Sequence, residues 1–231
     1  MNKPNQLIIL GGGYSLKEGI DKGLWELLKG KYTIGLNYSY NFFDSTILCY
    51  VDGNGQFYDE EMKKENFRNL PLIIGKKPGD IKILSNTIIL KTNDAKYFRD
   101  VKLGCYKSNL VGIFALSLAI YLLDEGEIYL LGYDYGGSGK GGKGRILTHF
   151  YQGQIKHRGI GKINYFNTKG RAKRDFGVYK DESKVKIYNV SLNSKIDIFP
   201  KISYDKFFKQ LDKKQYNQEK LREIIKKKLN D

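Results

Sequence analysis

Short apolar runs alternate along this chain with longer stretches of mixed polarity. Leu7 to Leu10 is apolar and stops at Gly11-Gly12-Gly13. Ser15 then opens a stretch running towards Lys29, with Glu18 at the spacing of a capping box. The pattern predicts a strand, a glycine turn and a helix. Tyr32 to Leu36 and Thr46 to Val51 are rich in β-branched and aromatic residues, and each ends in turn chemistry, Asn37 after the first and Asp52-Gly53-Asn54-Gly55 after the second. Both predict strands. Gln56 to Phe67 predicts a charged helix, and Leu70 to Ile74 and Thr87 to Leu90 predict short strands. From Ser108 to Leu123 the chain is apolar nearly all round, which predicts a buried helix with Ser108-Asn109 as its N-cap. Glu127 to Leu131 and Lys186 to Val190 predict two more strands. Tyr204 to Leu211 and Gln215 to Leu229 predict C-terminal helices.

Strands alternating with helical patterns imply an α/β class, Rossmann-like and doubly wound, with a mainly parallel sheet and helices on both faces. The 231 residues fit one catalytic domain over 1–211, carrying a basic glycine-rich loop or lid at 136–180, and a basic C-terminal helix at 212–231. In such sheets ligands bind beyond the carboxyl ends of the strands. Function is therefore to be sought at Gly11 to Ser15, Asn37 to Tyr40, Asp52 to Asn54, and from Asp134 onward. The longest apolar stretch, Leu110 to Leu123, is too short for a membrane span. The run before the three glycines is too short for a signal peptide. With two cysteines in no metal or disulfide spacing, these features point to a cytoplasmic, reducing setting.

Charge changes the picture. The net charge is +15, from 40 basic and 25 acidic residues, and all of it lies in one part of the chain. Residues 1–139 hold 16 basic and 16 acidic side chains, whereas 140–231 hold 24 and 9. Lys140 to Arg174 contains ten Lys or Arg, two His and no carboxylate, interleaved with glycines. A basic glycine-rich loop brings side-chain charge and backbone N–H groups to an anion. Lys143, Arg145, His157 and Arg158 are the candidate anion-binding residues. A phosphate-bearing ligand, an anionic acceptor and nucleic acid are the partners it leaves open.

Gly11, Gly12, Gly13 and Ser15, between a strand and a helix, have the physics of a phosphate-binding turn but not the spacing of a dinucleotide or P-loop motif. His149 and His157 both fall in the basic window. Positive surroundings favour a neutral imidazole, as a general base requires. Asp134 has no carboxylate near it in sequence, and no Asp-x-Asp pair exists in the chain. No metal or cofactor is therefore expected.

Leu-Ile-Ile-Leu-Gly-Gly-Gly-Tyr-Ser-Leu-Lys-Glu at 7–18, Gly-Leu-Asn at 35–37, Ser-Asn-Leu-Val-Gly at 108–112 and Glu-Ile-Tyr-Leu-Leu-Gly-Tyr-Asp-Tyr at 127–135 together resemble the bacterial lipooligosaccharide sialyltransferases. Val-Lys-Ile-Tyr-Asn-Val-Ser-Leu-Asn-Ser at 185–194 fits the same scheme. The wider Rossmann-like group also contains archaeal hydroxymethylpterin pyrophosphokinase and phage proteins. The pieces Thr-His-Phe-Tyr at 148–151 and Lys-His-Arg-Gly at 156–159 are most similar to the phage members.

The resemblance implies a metal-independent, inverting glycosyltransferase with a nucleotide-sugar co-substrate, CMP-linked in the family. It implies nucleotide contacts at Gly11 to Ser15, Asn37, Asp52, Ser108 and Asn109, to which Asp134, after the strand Glu127 to Leu131, is added as a strand-end candidate. It implies His149 as general base, with Tyr135 and Tyr151 near the leaving phosphate. Where the family has Gly-Asn-Gly-Pro-Ser, this chain has Gly-Gly-Gly-Tyr-Ser. A Mg-dependent pyrophosphokinase or nucleotidyl transferase, and a phage protein that binds or modifies DNA, are the alternative readings.

Overall fold

The computed structural model describes residues 4–51, 56–76, 82–90, 92–93, 105–106, 110–135, 139–140, 146–147, 149–155, 174–182 and 184–230. Seven strands form the sheet: β1 Gln6–Leu10, β2 Thr33–Leu36, β3 Ile47–Tyr50, β4 Ile73–Lys76, β5 Thr87–Leu90, β6 Gly126–Leu131 and β7 Val185–Asn189. Their spatial order is β7-β6-β1-β2-β3-β4-β5, and every neighbouring pair is parallel. The fold is the α/β, Rossmann-like architecture that the alternation predicts. Two small pairs lie outside this sheet, Thr92–Asn93 with Cys105–Tyr106 and Gly139–Lys140 with Ile146–Leu147.

A parallel sheet buried on both faces needs apolar side chains at successive positions, not alternate ones. The sequence Leu7-Ile8-Ile9-Leu10 meets this demand. Leu7 and Ile9 join Ile34, Ile128 and Leu130 on one face, while Ile8 and Leu10 join Tyr129 and Leu131 on the other. The first face is covered by α5, Val111–Leu123, and by the C-terminal helix α7, Gln218–Asn230, through Leu221, Ile225 and Leu229. The second is covered by α1 Leu16–Asp21, α2 Leu24–Leu28 and α6 Tyr204–Gln210 near β1 and β6, and by α3 Gln56–Glu61 and α4 Glu65–Arg68 near β3 and β4. Among the described residues no helix is long and apolar enough to cross a membrane.

Two expected helices are each broken in two. The segment towards Lys29 divides at Gly23, whose φ of 85° closes α1, its N–H donating to the Ile20 carbonyl. The charged segment divides between Glu61 and Glu65, where Lys64 is extended. The C-terminal helices keep local caps. The Ser203 hydroxyl accepts from the Lys206 N–H, and Asn217 Oδ1 accepts from the Lys220 N–H. The run Lys226 to Lys228 is not uniformly solvated, because Lys228 Nζ donates to the Tyr121 carbonyl at 2.7 Å, at the end of α5.

Candidate active site

Strands β2 to β5 extend the sheet to one side of β1, and β6 and β7 extend it to the other. The carboxyl ends of β1 and β6 therefore flank the switch point, where open α/β sheets form their ligand crevice. The segment after β1 is Gly11 to Ser15, and that after β6 is Gly132 to Tyr135. The chain pattern predicts both as strand-end segments, but not that they bind each other.

They are laced together. Gly11 N–H donates to the Leu131 carbonyl at 2.8 Å, Gly13 N–H to the Gly132 carbonyl at 2.9 Å, and Ser15 N–H to Asp134 Oδ2 at 2.8 Å. The Ser15 hydroxyl donates to Asp134 Oδ1. This corrects the expected cap, since the hydroxyl is engaged by Asp134 and makes no cap hydrogen bond to α1. Asp134, 4% exposed, fastens two loops with both of its oxygens. The glycines permit the approach. A Cβ at Gly13 would lie 2.4 Å from the Gly132 oxygen and 2.7 Å from Asp134 Oδ2, and one at Gly11 would lie 2.6 Å from the Gly132 oxygen. The N–H groups of Gly11, Gly13 and Ser15, expected to face a phosphate, thus bind β6 and its loop. That of Gly12 makes no hydrogen bond among the described residues.

The residues at 149–151 cross this clasp from above. Gly13 and His149 form an antiparallel bridge, and Phe150 N–H donates to the Gly12 carbonyl at 3.1 Å. A Cβ at Gly12 would stand 2.8 Å from His149 Cδ2 and 3.1 Å from the Tyr151 hydroxyl oxygen. The half-buried His149 ring lies 5.1 Å from that of Tyr151. Phe150 and Tyr151 are buried, at 7% and 4% exposure, and this anchors the segment. Their ring partners come from α2 and from the turn after β2. Trp25 and Phe42 pack on Phe150, and Tyr38 lies edge-on to Tyr151 at 5.9 Å. Asn37, at a φ of 47°, begins that turn and so sets the direction of Tyr38. Tyr38 falls within the predicted strand-end segment. Trp25, Phe42 and Phe43 carry no strand-end signal in the chain pattern, although Tyr-Ser-Tyr-Asn-Phe-Phe at 38–43 is the densest aromatic stretch in the chain.

Tyr135 is placed differently. It packs on the α5 face, with its ring 5.3 Å from Phe176, and its hydroxyl oxygen would lie 2.5 Å from a Cβ at Gly112. Tyr151 belongs to the α1 and α2 face. The two candidate tyrosines thus pack on opposite sides of the sheet. Burial raises both phenols well above the ordinary tyrosine value, with the Asp175 charge adding to it at Tyr135 and Tyr38 at Tyr151. Each is a neutral O–H donor at neutral pH.

Asp52, Ser108, Asn109, Lys143, Arg145, His157 and Arg158 lie outside the described residues, as does most of the basic glycine-rich window. Among the described residues no three His, Cys, Asp or Glu side chains gather into a metal-ligating set.

No protein-family model matches the chain, and no curated protein matches it. A solved structure that resembles it is that of the MAf glycosyltransferase from Magnetospirillum magneticum AMB-1, with a TM-score of 0.55 and 14% sequence identity. The likeness covers 99% of this chain and 37% of the other, so this chain spans little more than a third of that protein's length. At this identity the likeness is one of fold.

Proposed function

We propose that this protein is a nucleotide-sugar-dependent glycosyltransferase of the inverting, metal-independent kind, with His149 as its general base. The observation that carries the reading is the position of His149, half-buried over Gly12 and Gly13 at the switch point between β1 and β6. An imidazole there stands where the fold class binds its ligands. The glycosyltransferase activity of the structural neighbour supports the same reaction class, as does the resemblance to sialyltransferases in the strand-end motifs.

In this scheme an acceptor hydroxyl attacks the anomeric carbon of the donor while His149 takes its proton. The bond from that carbon to the phosphate oxygen breaks, and the nucleotide departs with the electron pair. Phosphate gains charge in this step, so O–H and N–H donors and cations that face it lower the barrier. The neutral Tyr151 phenol, the N–H group of Gly12, and the cations Lys143, Arg145 and Arg158 are the groups assigned to that work. A cytidine-linked sugar is the donor the reading favours.

Two measurements test this. A thermal-shift screen with nucleotides and nucleotide sugars is expected to raise the melting temperature with cytidine compounds, since a ligand that binds only the folded state stabilises it by mass action. With the donor so identified, His149→Ala is expected to abolish turnover and leave donor affinity within about threefold. Retained turnover with lost affinity would overturn the assignment.

A further inference from the structure

Next to the clasp lies a groove of about 410 Å³, walled by the start of α1 and by the loop after β7. Its volume falls within the range of small-ligand sites. Tyr14, Lys17, Glu18 and Asp21 stand on one side and Ser191, Leu192 and Asn193 on the other. Both walls are tied to Asp134. Ser15 holds its carboxylate, and Lys195 N–H donates to its backbone carbonyl at 2.8 Å. The groove therefore opens one residue beyond Gly13, which is bridged to His149.

Its chemistry is not that of an anion site. Lys17 pairs with Asp21 at 3.4 Å and Glu18 with Lys22 at 3.2 Å, and the two carboxylates repel phosphate. A sugar hydroxyl both donates and accepts, so it suits a wall offering amine and amide donors beside carboxylate acceptors. Tyr14 and Leu192, the latter 61% exposed, supply the apolar surface that the C–H face of a sugar ring covers. One lining side chain has an unmade hydrogen bond: Ser191 is 5% exposed, and its hydroxyl has no partner among the described residues. Buried polar atoms without partners are rare and costly. Rotation about its single side-chain torsion lets Ser191 meet a ligand hydroxyl.

We infer that this groove binds a neutral carbohydrate and is the acceptor subsite of the enzyme. The word acceptor rests on the transferase reading, whereas carbohydrate binding does not. The test uses the full chain with lactose, maltose and N-acetyllactosamine as probes, read by saturation-transfer NMR. At least one disaccharide is expected to bind, and Ser191→Val and Leu192→Asp are each expected to weaken it at least tenfold. Leu192 is largely exposed, so that variant keeps the fold and retains whatever nucleotide-induced thermal shift the wild type shows. Failure of all three disaccharides to bind, or binding unchanged within twofold in both variants, would overturn the inference. A wild-type protein that binds a disaccharide in this groove but shows no shift with any nucleotide would overturn the transferase reading alone.

Discussion

The clasp between Ser15 and Asp134 lends itself to a quantitative test. Asp134 is 4% exposed and accepts two charge-assisted hydrogen bonds, from the N–H and the hydroxyl of one serine. Such bonds contribute about 1.5 kcal/mol each at the lower end of their range. Asp134→Ala removes both, for an expected loss of about 3 kcal/mol, and Ser15→Ala removes one, for about 1.5 kcal/mol. In the double variant the serine hydroxyl has no carboxylate left to lose. It should therefore fall only about 3 kcal/mol short of wild type, against about 4.5 kcal/mol if the changes were independent, a coupling of about 1.5 kcal/mol. Urea unfolding of the four proteins, with slopes required to agree, measures each term. In a chain of this length the Asp134 variant should melt about 6–12 °C lower. Additivity within about 0.5 kcal/mol would refute the claim that the two residues hold the β1 and β6 loops together. Because Gly12 and Gly13 lie between the clasp and His149, the same variants should also lose turnover beyond what their folded fraction explains.

Gly12→Ala would force a Cβ to within 2.8 Å of His149 Cδ2 and should cost about 1–3 kcal/mol, whereas Gly177→Ala, with nothing within 4 Å of its Cβ among the described residues, should stay within about 0.5 kcal/mol; thermal melts of both check the contrast. Asp212 gives a pH prediction. Burial pushes its carboxyl up, but the Lys214 N–H and Tyr216 hydroxyl that donate to it, with the Lys214 and Lys31 charges, outweigh this and leave it below its ordinary value of 3.8. A depressed folded pKa contributes stability that is fully present above the unfolded value and lost as pH falls through the folded one. Melting temperatures of wild type and Asp212→Asn should therefore differ most near neutral pH and converge below about pH 4. A constant difference down to pH 3 would refute the assignment.

The parallel sheet and its burial were legible in the chain because both are consequences of local period. Leu7-Ile8-Ile9-Leu10 and Ile128 to Leu131 are apolar at every position, which only a strand covered on both faces requires, and α5 is apolar all round for the same reason. The strand ends were legible too, since turn chemistry follows each apolar run. Breaks within helices were less so. Gly23 terminates α1 through a positive φ, which composition alone does not announce.

The sequence by itself determined which segments are strands, which ends carry polar residues and where the positive charge lies, since each depends on near neighbours and on the side chain's own chemistry. Only the tertiary structure decided what those residues do. Ser15 and Asp134 are 119 positions apart, and Gly12 and His149 are 137 apart; they meet because β6 pairs with β1 after β2 to β5 have extended the sheet the other way. No local pattern encodes that pairing. It turned an expected helix cap into a clasp and anion-seeking glycines into close-packed ones, and it set Tyr135 and Tyr151 on opposite faces of the sheet.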